Sequence, residues 1–380
     1  MKEILDQINE KYVPFWLSLK DPKGGFFGGL TANGKPDENA NKGLNMHFKI
    51  LWFFSRAFQA FKTPQLKAAA DHAYNFIIEK FLDKTYGGFY YTVTPSGSVL
   101  DPIKHARNFA LGLYAFTAYF DITREYVVLK YAYECFNILE YRCKRMIGYR
   151  EQFDEFFMPI ANTKCGDEST KRHIGTMLHM LEAYIDFYYR TKDVKVKDSL
   201  NYLYDLMKYR VVDNKTGVFG VYMDDGLDSM YDVFDAGFNM FGSWTMTNAG
   251  LCLGIFGRDD LAIVKKLVDE TLKECFDSNS VIHRIYSKNK KDTDKVSWVQ
   301  AESIIALLNL YSLTKDNSYL DKAKKIWKFV KDNLLDVGGW NPGITKTNEP
   351  IKKPNVGEYR GPYNEGRMLL EVLRRGISIS

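Results

Sequence analysis

The 380-residue sequence has no run approaching 18 apolar residues, so no membrane-spanning helix is expected. Its five cysteines, Cys135, Cys143, Cys165, Cys252 and Cys275, are odd in number and include no C-x-x-C pair. That pattern argues against a disulfide framework and against a cysteine zinc site. Charge of one sign is also scarce, with 52 basic against 47 acidic residues and a net charge of +5. The densest basic run, Lys288 to Lys295, is broken by Asp292 and Asp294 and reads as solvated loop rather than a phosphate-binding strip. No nucleic-acid motif is present, nothing implies a metal or nucleotide cofactor, and no low-complexity or Pro/Gly-rich linker divides the chain. Residues 1–10 alternate in charge around no long apolar core, unlike a secretory leader or an anchor. The expectation is one cytoplasmic domain over residues 1–380, with no nucleic-acid or membrane partner.

What is present is aromatic and helical. Hydrophobic residues make up 46% of the chain, and 25 Tyr with 26 Phe bring the aromatic share to 15%. Such residues either fill a large helical core or line a sugar-binding cleft. In 103–120, Ala106, Phe109, Ala110, Leu113 and Phe116 recur at steps of three and four, the period of an amphipathic helix. Similar stretches lie near 3–20, 44–62, 65–82, 125–142, 169–191, 194–210, 243–256, 259–278, 296–315, 318–334 and 362–376. β-type alternation is short and confined to places such as 89–93. Gly-Gly-aromatic turns punctuate the helices at Gly24-Gly25-Phe26, Gly87-Gly88-Phe89 and Gly338-Gly339-Trp340, with a weaker version at Gly217-Val218-Phe219. About twelve helices with one turn per helix pair predict six pairs. The expected fold is all-α, an (α/α)6 barrel whose loops rim a cleft at one end.

Several stretches resemble the N-acylglucosamine 2-epimerase superfamily, and particularly its cellobiose 2-epimerase branch. They are YVPFWLSLKDPKGGFFGGL (12–30), KGLNMHFKILWFFSRAF (42–58), IKHARNFALGLYA (103–115), GYREQFDEFF (148–157), TMLHMLEAY (176–184), KVSWVQAESI (295–304) and GPYNEGRMLLEV (361–372). Their order spans nearly the whole chain. The resemblance implies proton abstraction next to a sugar carbonyl, giving an enediolate whose proton returns to the opposite face or to the neighbouring carbon. Such chemistry needs a general acid/base, usually His, and a group that stabilises the oxyanion. In the family these roles fall on an Arg in the first inner helix, a Gly-His-x-x-Glu stretch and a Pro-Tyr-His near the C-terminus. This chain departs at each place. Lys49 stands for the Arg, Gly242-Ser243-Trp244-Thr245-Met246 aligns with Gly-His-x-x-Glu, and Asn364 follows Pro362-Tyr363.

Read alone, Ser243 is an acceptable N-cap for a helix over 243–256. Read within the resemblance, Ser243 and Met246 replace an acid/base pair, and Trp244 with Met246 makes the wall less polar. The remaining catalytic candidates are His179, Glu302 and Lys49. Candidate substrate-binding residues are His105, Glu151, Trp298, Ser243, Trp244, Met246, Arg360, Asn364 and Glu365. Lys49 can polarise a carbonyl as a point charge, whereas Arg offers a planar fork. Arg360 with Glu365 would bring a cation and an acid to the C-terminal motif. The predicted function is a divergent member that binds a sugar or sugar-like molecule with 2-epimerisation lost and catalysis altered. A non-catalytic carbohydrate-binding or scaffold protein is the alternative. Glycoside hydrolysis would need Glu151 or Asp154 paired with Glu302.

Overall fold

The computed structural model describes residues 1–379 apart from 166–168, 214, 287–289, 337–338 and 353. Its helices are α1 (Lys2–Asp6), α2 (Val13–Ser18), α3 (Leu44–Phe61), α4 (Pro64–Phe76), α5 (Ala106–Thr123), α6 (Tyr126–Ile138), α7 (Ile174–Thr191), α8 (Val194–Leu206), α9 (Ala236–Leu253), α10 (Arg258–Cys275), α11 (Ser297–Thr314), α12 (Asn317–Asn333) and α13 (Asn364–Arg375). A π-helical stretch, Gln7–Tyr12, joins α1 to α2. The described residues therefore form twelve helical rods, as expected. Contacts group the chain into two compact units. One holds Pro14–Ser199 with Pro354–Tyr363, and the other holds Met1–Val13, Leu200–Lys353 and Asn364–Ser380. They are called below the 14–199 unit and the 200–353 unit.

In the 14–199 unit α5 packs between α3 and α7, and α4 and α6 pack on α3 and α5. In the 200–353 unit α11 packs between α9 and α13, and α10 and α12 pack on α9 and α11. The central helices α3, α5, α7, α9 and α11 are each 18 residues long. Each ends on a left-handed residue, Lys62, Arg124, Lys192, Gly254 or Lys315, whose N–H returns to a carbonyl of the last turn.

The Gly-Gly-aromatic turns follow the peripheral helices. After α4 the chain makes a π-turn, Ile77–Phe81, and then an antiparallel bridge from Leu82 to Phe89. Gly87 and Gly88 take φ of 81° and 70°, a conformation that side chains with a Cβ rarely adopt, and Phe89 drops into the core. Asp83 accepts the N–H groups of Thr85 and Tyr86, and it ion-pairs with buried Lys104 at 2.7 Å. Lys104 lies just ahead of α5, so the turn and the next central helix are locked together. Asp21 and Lys42 repeat the device at 2.6 Å ahead of α3. Gly338, part of the third expected turn, and Lys288, at the head of the basic run, lie outside the described residues.

Two expectations are corrected. β-structure is short, as expected, but reaches beyond places such as 89–93, because short antiparallel pairs set up the central helices. Lys104–His105 pairs with Gln152–Phe153, and Lys295–Val296 pairs with Gly343–Ile344. The helix expected at 243–256 instead begins at Ala236, capped by the Asp235 carboxylate, which accepts the Phe238 N–H at 3.1 Å. Ser243 lies in mid-helix with its hydroxyl bonded back to the Met240 carbonyl at 2.8 Å. The sequence misleads here because α9 is apolar or small on nearly every face, so hydrophobic periodicity marks no start.

Candidate active site

The central helices share a register that orders their side chains. Counted from the capping residues Gly43, His105, His173, Asp235 and Val296, the sixth residues are Lys49, Leu111, His179, Phe241 and Glu302. The ninth are Trp52, Tyr114, Glu182, Trp244 and Ile305. Residues three apart lie on one helix face, so these two levels form a single stripe on each helix. All three catalytic candidates fall on the upper level.

In the 14–199 unit this stripe is polar and titratable. The His179 imidazole is partly exposed, and its Nδ1 lies 3.3 Å from the Tyr363 hydroxyl and 4.0 Å from Glu182 Oε2. The same Tyr363 hydroxyl donates to Glu182 Oε2, so phenol and carboxylate together hold one side of the imidazole. The Lys49 ammonium donates to the Tyr359 carbonyl at 2.9 Å and sits 5.8 Å from the centre of the Tyr363 ring. Trp52 stacks on Tyr114 at 5.3 Å, and both rings abut Tyr363. One turn lower, Arg56 binds Asp121 at 2.9 Å and also Asp186. Burial works against the Arg56 charge, but Asp186, Tyr114 and Asp121 outweigh it and raise its pKa.

Other candidates in this unit are built into the scaffold. His105 caps α5, its Nδ1 accepting the Arg107 N–H at 3.2 Å. Burial, reinforced by the Arg107 charge, lowers its pKa to about 3, so it is a neutral cap. Glu151 is 1% exposed and accepts the His173 N–H at 2.9 Å and the Thr176 hydroxyl at 2.6 Å. Burial raises its pKa, opposed by Arg107 and these hydrogen bonds. Arg360 lies in the tight turn that its backbone forms with Gly357.

In the 200–353 unit the same levels are aromatic and closed. Glu302 is fully buried. It accepts from the Trp244 indole at 3.0 Å, from the Asn364 amide at 2.7 Å and from Arg367. The Arg367 guanidinium lies 4.6 Å from the Phe241 ring centre and 4.8 Å from that of Trp244. Glu365 is buried and accepts the Ser297 hydroxyl at 2.7 Å. Trp298 is partly exposed and lies across Gly237, where a Cβ would sit 2.1 Å from the indole. Ser243 and Met246 are 0% and 1% exposed and stand off the stripe.

Gly237-Phe238-Asn239-Met240-Phe241 lies in the first turns of α9, and Phe241 holds the register position that Lys49, His179 and Glu302 hold in their own helices. The sequence reading missed Glu182, Tyr363 and Arg367, although His179 to Glu182 and Asn364 to Arg367 are same-face spacings of three that would have flagged two of them. It also missed His283 and Asp292, which only a hairpin brings together, at 3.0 Å.

Each unit thus pairs central with peripheral helices, with a polar central stripe in the 14–199 unit and an aromatic one in the 200–353 unit. The N-acylglucosamine 2-epimerase (GlcNAc 2-epimerase) family model matches residues 25–359, and the chain belongs to that family. Cellobiose 2-epimerase of Dictyoglomus turgidum is 33% identical over 386 residues, covering 98% of both chains. Cellobiose 2-epimerase of Ruminococcus albus is 31% identical over 392 residues, covering 100% of both. A solved sugar epimerase from a ruminal bacterium superposes with a TM-score of 0.96 at 29% identity, covering 99% of both chains. The fold is an (α/α)6 barrel, and the chain is a member of a sugar epimerase/isomerase superfamily.

Proposed function

We propose that this protein acts on a reducing sugar by proton transfer next to the carbonyl, using His179 in place of the family's usual residues. The arrangement of His179 with Tyr363 and Glu182 carries the reading. A carboxylate and a phenol on one side of an imidazole fix its orientation and stabilise its protonated form, as the third member of a catalytic triad does. Lys49 supplies positive charge for the developing enediolate oxygen. One imidazole returns a proton to the face from which it took it. That moves the carbonyl between C1 and C2 without inverting C2, so the expected reaction is aldose–ketose isomerisation, with standard 2-epimerisation lost. Relatives named as cellobiose 2-epimerases, matched over their full length, support a sugar substrate and one domain over residues 1–380.

A non-catalytic carbohydrate-binding role is the second reading, favoured by Phe238 and Phe241 in the first turns of α9 and by Asn364 after Pro362-Tyr363, where the family resemblance calls for acid/base groups. Glycoside hydrolysis gains no support, because Glu151, Asp154 and Glu302 are each bound within the fold. The test is solvent exchange. The protein is incubated in D2O with aldoses, ketoses and disaccharides including cellobiose, and loss of the sugar H2 signal is followed by NMR. Exchange with ketose formation supports isomerisation. Sugar binding without exchange above buffer supports the non-catalytic role and ends the isomerase reading.

A further inference from the structure

The 200–353 unit holds a second carboxylate-backed imidazole. Strands Val233–Asp235, Arg284–Tyr286 and Lys290–Asp292 form one antiparallel sheet. His283 precedes the middle strand and is fixed through both backbone groups. Its carbonyl accepts the N–H of Ala236, the first residue of α9, at 3.2 Å, and its N–H donates to the Asp294 carbonyl at 2.9 Å. Its Nδ1 meets Asp292 Oδ2 at 3.0 Å, while Asp292 Oδ1 accepts the Asp294 N–H at 3.1 Å. The carboxylate is thus held at both oxygens. Because it can only accept from the ring, it places the imidazole proton on Nδ1. Nε2 is left as the ring's lone pair, on a side chain that is partly exposed and with no hydrogen bond among the described residues.

The surroundings suit a closed sugar ring. The imidazole stands at 85° to the Trp298 indole, with centroids 6.1 Å apart, and Trp298 lies 5.4 Å from Phe238. His283, Asp292, Trp298 and Phe238 are all partly exposed. A pyranose seated on an indole turns its C–H bonds to the aromatic face and its oxygens to the rim. An imidazole standing upright beside that indole therefore meets rim oxygens. Reducing sugars in water are almost wholly cyclic, yet proton abstraction next to a carbonyl requires the open chain.

We propose that His283, positioned by Asp292, opens the pyranose ring of a reducing sugar held against Trp298, giving the protein mutarotase activity. Nε2 takes the O1–H proton, and the O1 electron pair becomes the C1=O π bond. The C1–O5 bond breaks with its pair going to O5, and the imidazolium returns the proton to O5. Closure on the other face of C1 yields the opposite anomer, with no net proton change and no co-reactant. His283 is the catalytic group and Asp292 a positioning residue. The inference rests on the reducing-sugar reading above.

Freshly dissolved α-D-glucopyranose and α-lactose serve as probes, with anomer equilibration followed by polarimetry against a protein-free control. The wild-type protein should speed equilibration in proportion to its concentration. H283Q should lose that activity by about a hundredfold or more, the usual share of a positioned acid/base. D292N should lower kcat about tenfold at unchanged KM, as loss of an orienting partner does. D292E should restore most of the rate. Thermal midpoints matching the wild type would show that each variant is folded. No acceleration by the wild type with either sugar, H283Q equal to the wild type, or an effect of D292N on KM alone would overturn the proposal. Mutarotation without exchange at C2 would remove the isomerase reading and leave this one standing, whereas C2 exchange without faster mutarotation would do the reverse.

Discussion

The two units use one helical register for different ends. At the sixth and ninth positions of the central helices, the 14–199 unit carries Lys49, His179 and Glu182, with Trp52 and Tyr114 packed among them. The 200–353 unit carries Phe241 and Trp244, which flank the cation of a buried Arg367–Glu302 pair. Histidine is divided as unevenly, since His47, His72, His105, His173 and His179 all belong to the 14–199 unit and only His283 to the other. The difference teaches that backbone repetition fixes where a side chain points and leaves its chemistry open. On these central helices one unit carries groups that can exchange protons, and the other pairs its charges inward under aromatic cover.

The largest break in this comparison should come from Arg367→Met. It would strand the Glu302 carboxylate at full burial and cost about 3–5 kcal/mol in urea unfolding. The double variant with Glu302→Gln should recover much of that loss, since no uncompensated charge remains. In the 14–199 unit, His179→Asn should leave the urea midpoint near that of the wild type. It should lower exchange of the sugar H2 by about a hundredfold or more.

A third measurement separates the units by pH. His105 has its pKa lowered to about 3 in the fold, by burial first and by the Arg107 charge second. The ordinary value is 6.5, so its contribution to stability is complete above pH 6.5 and is lost as pH falls toward 3. At pH 5 that one imidazole should cost about 2 kcal/mol relative to pH 7. His105→Asn, which keeps a capping side chain but does not titrate, should flatten the urea midpoint against pH by about that amount. The smallest effect is a gain. Phe238→His with Phe241→Glu and Asn364→His should raise H2 exchange about tenfold if the family positions are the third and sixth residues of α9. Ser243→His with Met246→Glu and Asn364→His should give no gain and a lower thermal midpoint, because both α9 sites are fully buried.

Much of the architecture was legible in the sequence. A period of three and four marks α3 and α11 within one residue at each end and α5 within three, and the Gly-Gly-aromatic turns at 24–26 and 87–89 mark where peripheral helices stop. α9 was misplaced for a physical reason. A helix covered on nearly all sides has no polar face to betray its phase, and Ser243 imitates a cap while bonding backward within the helix. Site residues that share one helix were within reach, as Glu182 was from His179. The His283–Asp292 pair was not, because eight residues of hairpin separate two side chains that meet only once the strands have paired.

The 18-residue length of the five central helices has a consequence for how such a protein changes over time. At 3.6 residues per turn, 18 residues make five whole turns, so each helix leaves in the angular direction in which it entered. Deleting one residue would swing everything beyond it by about 100° and break the match to the connection that follows. Length is thereby closed to variation, and novelty has to enter by exchange of side chains at fixed bearings. Phe241, at the bearing that Lys49, His179 and Glu302 hold in their own helices, is the kind of difference this geometry permits.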